Sequence, residues 1–263
     1  MSGATEIFWT GGWDSTFRVM ELLTTTVGPI QPRYVIDPRR ASSAMELATI
    51  RQLTQHLEAG GYAEPGRIRE PVLYQREEIP PDPDIDEAFL TITRQNRLGN
   101  QYRWLAMLVK AEGLDGIELS VEKGRSLYPI VGPFLVPVGQ DTVPAFRVAP
   151  DAGAVAVLLG GFVLPLIQRS DARLRQEAAE RGWDEVLAKT CFCHSPVRGR
   201  HPCGTCRPCV QMLERKEEGA RLGWIGKTRY WAIERAVRTL PVGLQWRCRQ
   251  WQETRATRKV RGQ

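Results

Sequence analysis

The sequence has no long hydrophobic run. Its longest apolar stretch, AVAVLLGGFVLPLI at residues 154–167, is too short to span a bilayer and contains two glycines and a proline. We interpret this stretch as a buried strand and a turn. No basic region followed by a long apolar run stands at the N-terminus, so we expect no signal peptide and no membrane association. The expected location is the cytoplasm.

The sequence also has little net charge outside its C-terminal tail. The whole chain carries a formal charge of +6, and residues 240–263 contain six Arg/Lys and one Glu, a net of +5. The rest is near neutral, so nucleic-acid binding across the body is not indicated. The tail combines Trp246 and Trp251 with its arginines, which suits an RNA or protein partner, although basic termini are more often unspecific.

Two common phosphate-binding patterns, GxxxxGK[ST] and GxGxxG, are missing. The chain has instead EIFWTGGWDSTFRV at residues 6–19, which we interpret as a strand, a turn at Gly11–Gly12 and a helix. Glycines let a ligand approach the backbone N–H groups, and a helix N-terminus favours anions. Ser15 and Thr16 add hydroxyl donors, and Asp14 is suited to cap the helix or to hold Mg²⁺. The alternative is that this segment makes only a capped turn.

Strands and helices alternate along the chain, which favours a parallel α/β sheet. We predict strands in residues 6–9, 33–38, 69–77 and 115–124, and a loop at 77–86. We predict helices at 14–26, 42–61, 99–114 and 170–183, with Ser43 and Ser170 as caps. Residues 126–150 are rich in proline and glycine and predict loops or a short hairpin. The first strand–helix junction of such a sheet is a favoured ligand site.

Five of the six cysteines lie between residues 191 and 209. Two residues separate Cys203 from Cys206 and Cys206 from Cys209, and Cys193 lies ten positions before Cys203, a pattern that suits a closed zinc site. We expect this site to be structural, because four thiolates leave no open position. A redox CxxC pair and an iron–sulfur cluster are alternatives, and either His194 or His201 could replace a cysteine. Cys191 is the odd thiol.

The segment TGGWDST resembles the SGGxDS[TS] pyrophosphate loop (PP-loop) of the N-type ATP pyrophosphatases, with Thr10 in place of the first Ser. Together with the C-terminal cysteines, it resembles the 7-cyano-7-deazaguanine synthase family of that superfamily. The stretch Thr190-Cys191-Phe192-Cys193 fits the family pattern and supports Cys193 as a ligand. The chain departs from the family at residues 97–101, at Ile130 and at Met212.

The resemblance implies a Rossmann-like parallel sheet (adenine nucleotide alpha hydrolase-like) with a small zinc-binding, mostly helical C-terminal region. It implies a C–N ligase in which ATP adenylates a carboxylate of a 7-deazaguanine-like molecule, pyrophosphate leaves, and ammonia and a second ATP give an amide and then a nitrile. Asp14 and Ser15 would be catalytic, and the residues holding ATP and Mg²⁺ would be Thr10, Gly11, Gly12, Asp14, Ser15, Thr16, Ile36 and Asp37. The nominated substrate residues are Arg97, Gln101, Glu122, Lys123 and Tyr128.

The domain organisation follows from the same interpretation. We predict a PP-loop domain at residues 1–185, a zinc-binding region at 186–240 and a basic tail at 241–263. The expected partners are a small molecule and ammonia, and a homodimer is left open. The alternative function is a related PP-loop enzyme that uses the same adenylation chemistry on tRNA or on a protein partner.

Overall fold

The computed structural model describes residues 3–139, 144–214, 219–239 and 241. Its strands are β1 (Thr5–Phe8), β2 (Ile30–Ile36), β3 (Val72–Gln75), β4 (Ile117–Glu118), β5 (Leu135–Val138), β6 (Ala145–Val148) and β7 (Phe162–Val163). Its helices are α1 (Trp13–Thr25), α2 (Ser43–Ala59), α3 (Pro83–Thr93), α4 (Gln101–Ala111), α5 (Tyr128–Val131), α6 (Ala154–Leu159), α7 (Asp171–Glu180), α8 (Asp184–Leu187), α9 (Arg207–Glu214) and α10 (Gly223–Arg238). The predicted basic tail lies outside the described residues, apart from residue 241.

A five-stranded parallel sheet organises the described part of the chain, in the order β3-β2-β1-β4-β7. The register places Ile7 of β1 between Pro32 of β2 and Glu118 of β4. Ile7 and Phe8 are both buried although they point to opposite faces, as expected for a parallel sheet covered on both sides. The predicted parallel α/β sheet is therefore confirmed.

The strand order reverses at β1. The chain moves from β1 to β2 and β3 on one side, and later returns to β4 and β7 on the other. In open α/β sheets the crevice outside such a switch point, at the carboxyl ends of the strands, is where ligands bind. The glycine turn follows β1 directly, so it lies at this edge of the sheet.

Two sequence predictions about local structure were wrong. Residues 154–159 form α6, and only Phe162–Val163 of the apolar stretch is a strand. A short uninterrupted apolar run does not distinguish a buried helix from a buried strand. The predicted loop at 77–86 ends early because α3 begins at Pro83, with the Asp82 side chain accepting the N–H of Ile85. Proline at the first position of a helix is favourable, since that N–H needs no partner within the helix.

Other local predictions were confirmed. Residues 135–138 and 145–148 pair as an antiparallel hairpin within the proline-rich segment. The Ser170 hydroxyl accepts the N–H of Arg173 and caps α7. The predicted cap at Ser43 was wrong, because Ser43 is already the first helical residue of α2. The Ser42 hydroxyl donates to Glu46 at 2.7 Å.

The contacts divide the chain into two compact units. The first comprises residues 1–36 and 50–190 and contains the sheet; the second comprises residues 37–49 and 191–263 and contains the cysteines and α10. The sequence does not indicate that residues 37–49 join the second unit. Across the described residues, the structure has no helix with the length and apolarity needed to cross a membrane.

Candidate functional site

The glycine turn joins β1 to α1 in the first unit. Gly11 has φ +67°, in the left-handed region that glycine enters without steric cost. Gly12 is the N-cap of α1 with φ −77° and ψ 167°, and its carbonyl accepts the N–H of Thr16 at 3.0 Å. The N–H groups of Trp13, Asp14 and Ser15 therefore head the helix, where no intrahelical acceptor exists for them. This arrangement is suited to an anion.

The predicted cap of α1 was wrong. Gly12 occupies the N-cap position, so Asp14 is the second residue of the helix and not its cap. A glycine N-cap is nearly as favourable as a polar one, so the helix begins two residues before Asp14 without a capping side chain. The Asp14 carboxylate is thereby left available for another contact.

The hydroxyl groups of the turn divide into two sets. Ser15 Oγ lies 3.4 Å from Thr10 Oγ1 and donates to the Gly12 carbonyl at 3.3 Å, and these long contacts are weak. Thr16 is fully buried, and its Oγ1 accepts the indole N–H of Trp9 at 3.0 Å. Thr10 and Ser15 thus border the turn, whereas Thr16 faces the interior. Thr16 therefore packs in the core against Trp9. Its nominated contact with phosphate stays a prediction.

Asp14 lies among charged groups. Its Oδ2 is 3.8 Å from Nη2 of Arg125, whose Nε donates to Glu122 Oε1 at 2.7 Å. Burial raises the pKa of Asp14 to about 6, with Arg125 lowering it and Glu122 and Asp171 raising it. The ionised form of Asp14 is therefore disfavoured, and a bound cation would stabilise it. Arg125 was missed by the sequence analysis, because nothing in its neighbourhood distinguishes it from a solvated arginine.

Glu122 follows β4 at the same edge of the sheet. Its side chain is 5% exposed, and its Oε2 has no hydrogen-bond partner among the described residues. The buried hydroxyl of Ser120 is also unpartnered there. Buried carboxylate oxygens normally have partners, so each exception calls for an explanation such as an ion or water. Two carboxylates with one unsatisfied oxygen form a donor set that fits Mg²⁺.

The remaining nominated residues take different positions. Lys123 Nζ lies 5.3 Å from the ring centre of Tyr128, and the Tyr128 hydroxyl is 3.5 Å from Gln168 Oε1. Gln101 hydrogen-bonds the buried Tyr102, whose pKa is raised mainly by burial and also by Asp14.

Three nominated residues lie in loops or at a strand end. Arg97 is exposed in the segment between α3 and α4. Ile36 is the last residue of β2, and Asp37 follows it. The Asp37 carboxylate accepts the N–H of Arg39 at 3.0 Å, which makes a tight turn after the strand. The roles nominated for these three residues stay predictions.

A buried ion network was missed by the sequence analysis. Arg18 donates to both oxygens of Glu118 at 2.7 and 2.8 Å and to Glu21 at 2.7 Å. Arg169 also donates to both oxygens of Glu21, at 2.7 and 2.8 Å, and to Glu177 at 3.0 Å. Although burial raises the pKa of Glu21, these arginines hold it below its usual value. The network joins α1 to β4 and to α7. It therefore fixes the position of α1, the helix that begins at the glycine turn.

Trp13 has a defined packing role. Its ring stacks on Phe17 at 5.5 Å, and the guanidinium of Arg175 lies 5.0 Å from the Trp13 ring centre. Phe17 in turn meets the edge of Trp183 at 5.4 Å. Trp13 therefore connects the start of α1 to α7, because an aromatic ring and a cation attract each other in this geometry.

The four cysteines predicted to bind a metal come together in the second unit. The sulfurs of Cys193, Cys203, Cys206 and Cys209 all lie within 4.8 Å of one another. The Cys203–Cys209 and Cys193–Cys206 sulfur pairs are 3.9 Å apart. A tetrahedron with Zn–S bonds of about 2.3 Å has sulfurs about 3.8 Å apart. The arrangement therefore fits one metal ion such as zinc, and neither His194 nor His201 belongs to the group that the described residues form.

Backbone groups support the thiols. The N–H of Cys203 donates to Cys193 Sγ at 3.2 Å, and the N–H of Cys206 donates to Cys203 Sγ at 3.3 Å. The pKa of Cys203 is lowered by hydrogen bonds from the neighbouring thiols, whereas that of Cys209 is raised because it shares its proton with them. Burial raises the pKa of Cys191, outside the group, to about 12.

A close backbone approach connects this centre to α10. Gly204 has φ +74°, and a Cβ placed there would lie 1.9 Å from the carbonyl oxygen of Gly226. Arg229 Nε donates to the carbonyl of Cys203 at 3.1 Å. One face of α10 is therefore fixed against the cysteine turn.

Comparisons with protein families, curated proteins and solved structures find no match to this chain. The functional conclusion therefore depends on the residues and their geometry.

Proposed function

We propose that the first unit is an ATP-dependent adenylating enzyme of the PP-loop type, with a Rossmann-like nucleotide fold. One observation carries the proposal: a glycine turn and helix N-terminus lie at the switch point of a parallel sheet, with Asp14 beside them. Such a turn can hold the departing pyrophosphate through its N–H groups, and stabilisation of a leaving anion in this way is a large catalytic term.

The residues at the carboxyl edge of the sheet would have different roles in binding ATP. The N–H groups of Trp13, Asp14 and Ser15, with the hydroxyls of Thr10 and Ser15, would bind phosphate oxygens. Asp14 and Glu122 would hold Mg²⁺, which would neutralise charge on the triphosphate. Arg125 would keep both carboxylates oriented and offset their charge in the absence of the ion. The unsatisfied Oε2 of Glu122 supports this assignment.

The substrate we propose is a small carboxylate of the 7-deazaguanine class, as the resemblance of TGGWDST and the cysteine pattern to the 7-cyano-7-deazaguanine synthase family implies. Its carboxylate oxygen attacks the α-phosphorus of ATP, pyrophosphate leaves, and ammonia then displaces AMP from the acyl adenylate to give an amide. The amide oxygen then attacks a second ATP and releases pyrophosphate, and loss of AMP and of the protons on the amide nitrogen leaves a nitrile. The protein contributes mainly positioning and charge stabilisation. The class of enzyme is an ATP-dependent C–N ligase.

The test is a turnover assay with the whole protein, ATP, Mg²⁺, ammonium and 7-carboxy-7-deazaguanine, following pyrophosphate and the nitrile. The proposal expects both products, and expects Glu122→Gln to reduce pyrophosphate release at least tenfold while Glu87→Gln, at a surface position, leaves it unchanged. Pyrophosphate without nitrile would retain adenylation and overturn the synthase reaction. No ATP turnover with this carboxylate, and no binding of ATP to the protein, would overturn the proposal.

A further inference from the structure

The outward face of α10 in the second unit presents two tryptophans to solvent. Trp224 is 76% exposed and Trp231 is 59% exposed. They are seven residues apart, which places them two turns apart on the same side of the helix, about 10 Å along its axis. Tyr230 meets Trp231 edge-on at 5.3 Å. Exposed aromatic rings grouped on one side of a helix form an apolar patch of the kind that marks interaction sites.

The same face is basic. Lys227, Thr228 and Arg235 follow Trp224 at three, four and eleven residues, so they share its side of the helix. Arg235 is exposed and Lys227 is half-buried. Glu234, the acidic residue of this helix, is half-buried and lies seven residues after Lys227 on the same edge of this face. We name the surface of Trp224, Lys227, Thr228, Trp231 and Arg235 the aromatic-basic face.

The opposite side of α10 is used for packing within the second unit. Gly226 is buried and approaches Gly204, Arg229 donates to the Cys203 carbonyl, and Val237 is 6% exposed. These residues lie about half a turn from the aromatic-basic face. The helix is therefore held in one rotation, with the tryptophans directed away from the cysteine centre that supports it.

We propose that the aromatic-basic face binds single-stranded nucleic acid. Aromatic rings stack on unpaired bases of any sequence, while neighbouring cations neutralise the phosphates. Charge complementarity favours this occupant: the face carries Lys227 and Arg235, and the chain that follows α10, residues 240–263, adds six Arg/Lys and one Glu. A duplex offers its bases only at the ends, so single strands bind more tightly. The rest of the chain is near neutral, and for that reason the sequence indicated no nucleic-acid binding across the body. A binding site confined to one helix face is compatible with that charge distribution.

The experiment uses the full-length, metal-loaded protein and fluorescein-labelled oligouridine or oligothymidine of 20 nucleotides, with anisotropy as the readout. We expect binding that weakens as salt rises from 50 to 200 mM, and weaker binding to a duplex of equal length. Trp224→Ala and Trp231→Ala should each weaken single-strand binding about fivefold or more, while the corresponding Phe variants keep most of it. Leu90→Ala, at an exposed position of the first unit, is the matched control and should change nothing.

A second variant distinguishes binding by the aromatic-basic face from binding by the basic tail, residues 240–263. Replacing the six Arg/Lys of residues 240–263 by Gln should reduce the salt dependence yet leave the effect of Trp231→Ala in place. If the tryptophan variants bind as well as the unmodified protein, the tail alone carries the binding and the proposal is overturned. Absence of oligonucleotide binding at 50 mM salt would also overturn it and would favour a protein partner for this face. Metal content and circular dichroism establish that every variant is folded.

Discussion

At the scale of single residues, the two glycines of the turn have different requirements. Gly11 has φ +67°, which a side chain disfavours, whereas Gly12 has φ −77° and ψ 167°, which any residue adopts. The sequence presents them as an equivalent pair. The backbone angles show that only Gly11 has a conformation that requires glycine, whereas the conformation of Gly12 is open to other residues.

This difference gives a prediction that separates folding from binding. Gly12→Val should lower the free energy of unfolding by only about 1 kcal/mol, because valine is a weaker N-cap than glycine, yet prevent ATP turnover by covering the N–H groups. Gly11→Ala should lower that free energy by about 1 kcal/mol because of its positive φ. Urea denaturation and pyrophosphate release measure the two effects. Full ATP turnover by Gly12→Val would show that the N–H groups of the glycine turn do not bind the pyrophosphate.

Asp14 gives a prediction about pH. Its pKa is about 6 in the folded protein, against 3.8 in an unfolded chain, so the folded state keeps the proton longer. Folding is therefore progressively disfavoured as pH rises from about 4 to 6, by about 1–3 kcal/mol in total, and the penalty persists above that range. Asp14→Asn should raise the melting temperature at pH 7.5 but not at pH 3.5, while abolishing ATP turnover. Asp151→Asn, at an exposed site, is the control; equal stabilisation at both pH values would contradict the assignment.

At the scale of secondary-structure elements, the buried ion network determines how α1 meets β4. Glu21 is fully buried and the side chains of Arg18 and Glu118 are less than a tenth exposed. The sequence shows only charged residues inside a helix, where a solvated face is the ordinary interpretation. Arg18 of α1 and Arg169, in the segment between β7 and α7, approach the same Glu21 carboxylate, and this pairing allows the charges to be buried.

Removing one member of this network should be severe. Arg18→Met leaves Glu118 buried without its two-point partner, and we expect a loss of about 3–5 kcal/mol in the free energy of unfolding. Arg103→Met breaks a more exposed pair with Asp86 and should cost less than about 1 kcal/mol. Denaturant titration of both variants makes the comparison. Similar losses for the two would show that burial of the network is unimportant to stability.

At the scale of the whole molecule, the chain forms two compact units whose stability has different origins. The first is centred on an apolar core that includes Phe8, Leu105, Ile117, Leu158 and Phe162. The second has a small cluster built on three of the cysteines themselves, with Met212 and Leu222. Among the described residues of the second unit this cluster is small, so binding of a metal to the thiolates would supply much of their folding free energy.

Metal removal should therefore affect the two units unequally. Chelation at neutral pH should abolish hydrogen-exchange protection in α10 while β1 and β2 remain protected. Cys203→Ser should have the same effect and lower the metal content well below one ion per chain. Cys191→Ser, outside the four-thiol group, should retain the metal. Iron with sulfide in place of a single ion, or simultaneous loss of protection in β1, would contradict this description.

The sequence by itself determined the features that depend on local chemistry and spacing. Alternation of strands and helices indicated the parallel sheet, and the serine cap of α7 and the short hairpin were visible in residue type alone. The spacing of Cys203, Cys206 and Cys209 indicated a metal site, because a CxxCxxC turn directs its thiolates to one point. The glycine pair marked the turn after the first strand.

Only the tertiary structure decided which side chains face one another. Thr16 turned inward to Trp9, Asp14 proved not to be the helix cap, and Glu122 was left with an unsatisfied oxygen beside Arg125. The exposure of Trp224 and Trp231 depends on how α10 rotates against Gly204. The sequence does not predict these positions, because they depend on contacts between residues that are distant along the chain. The identity of a charged or aromatic residue does not show whether its side chain is buried or exposed.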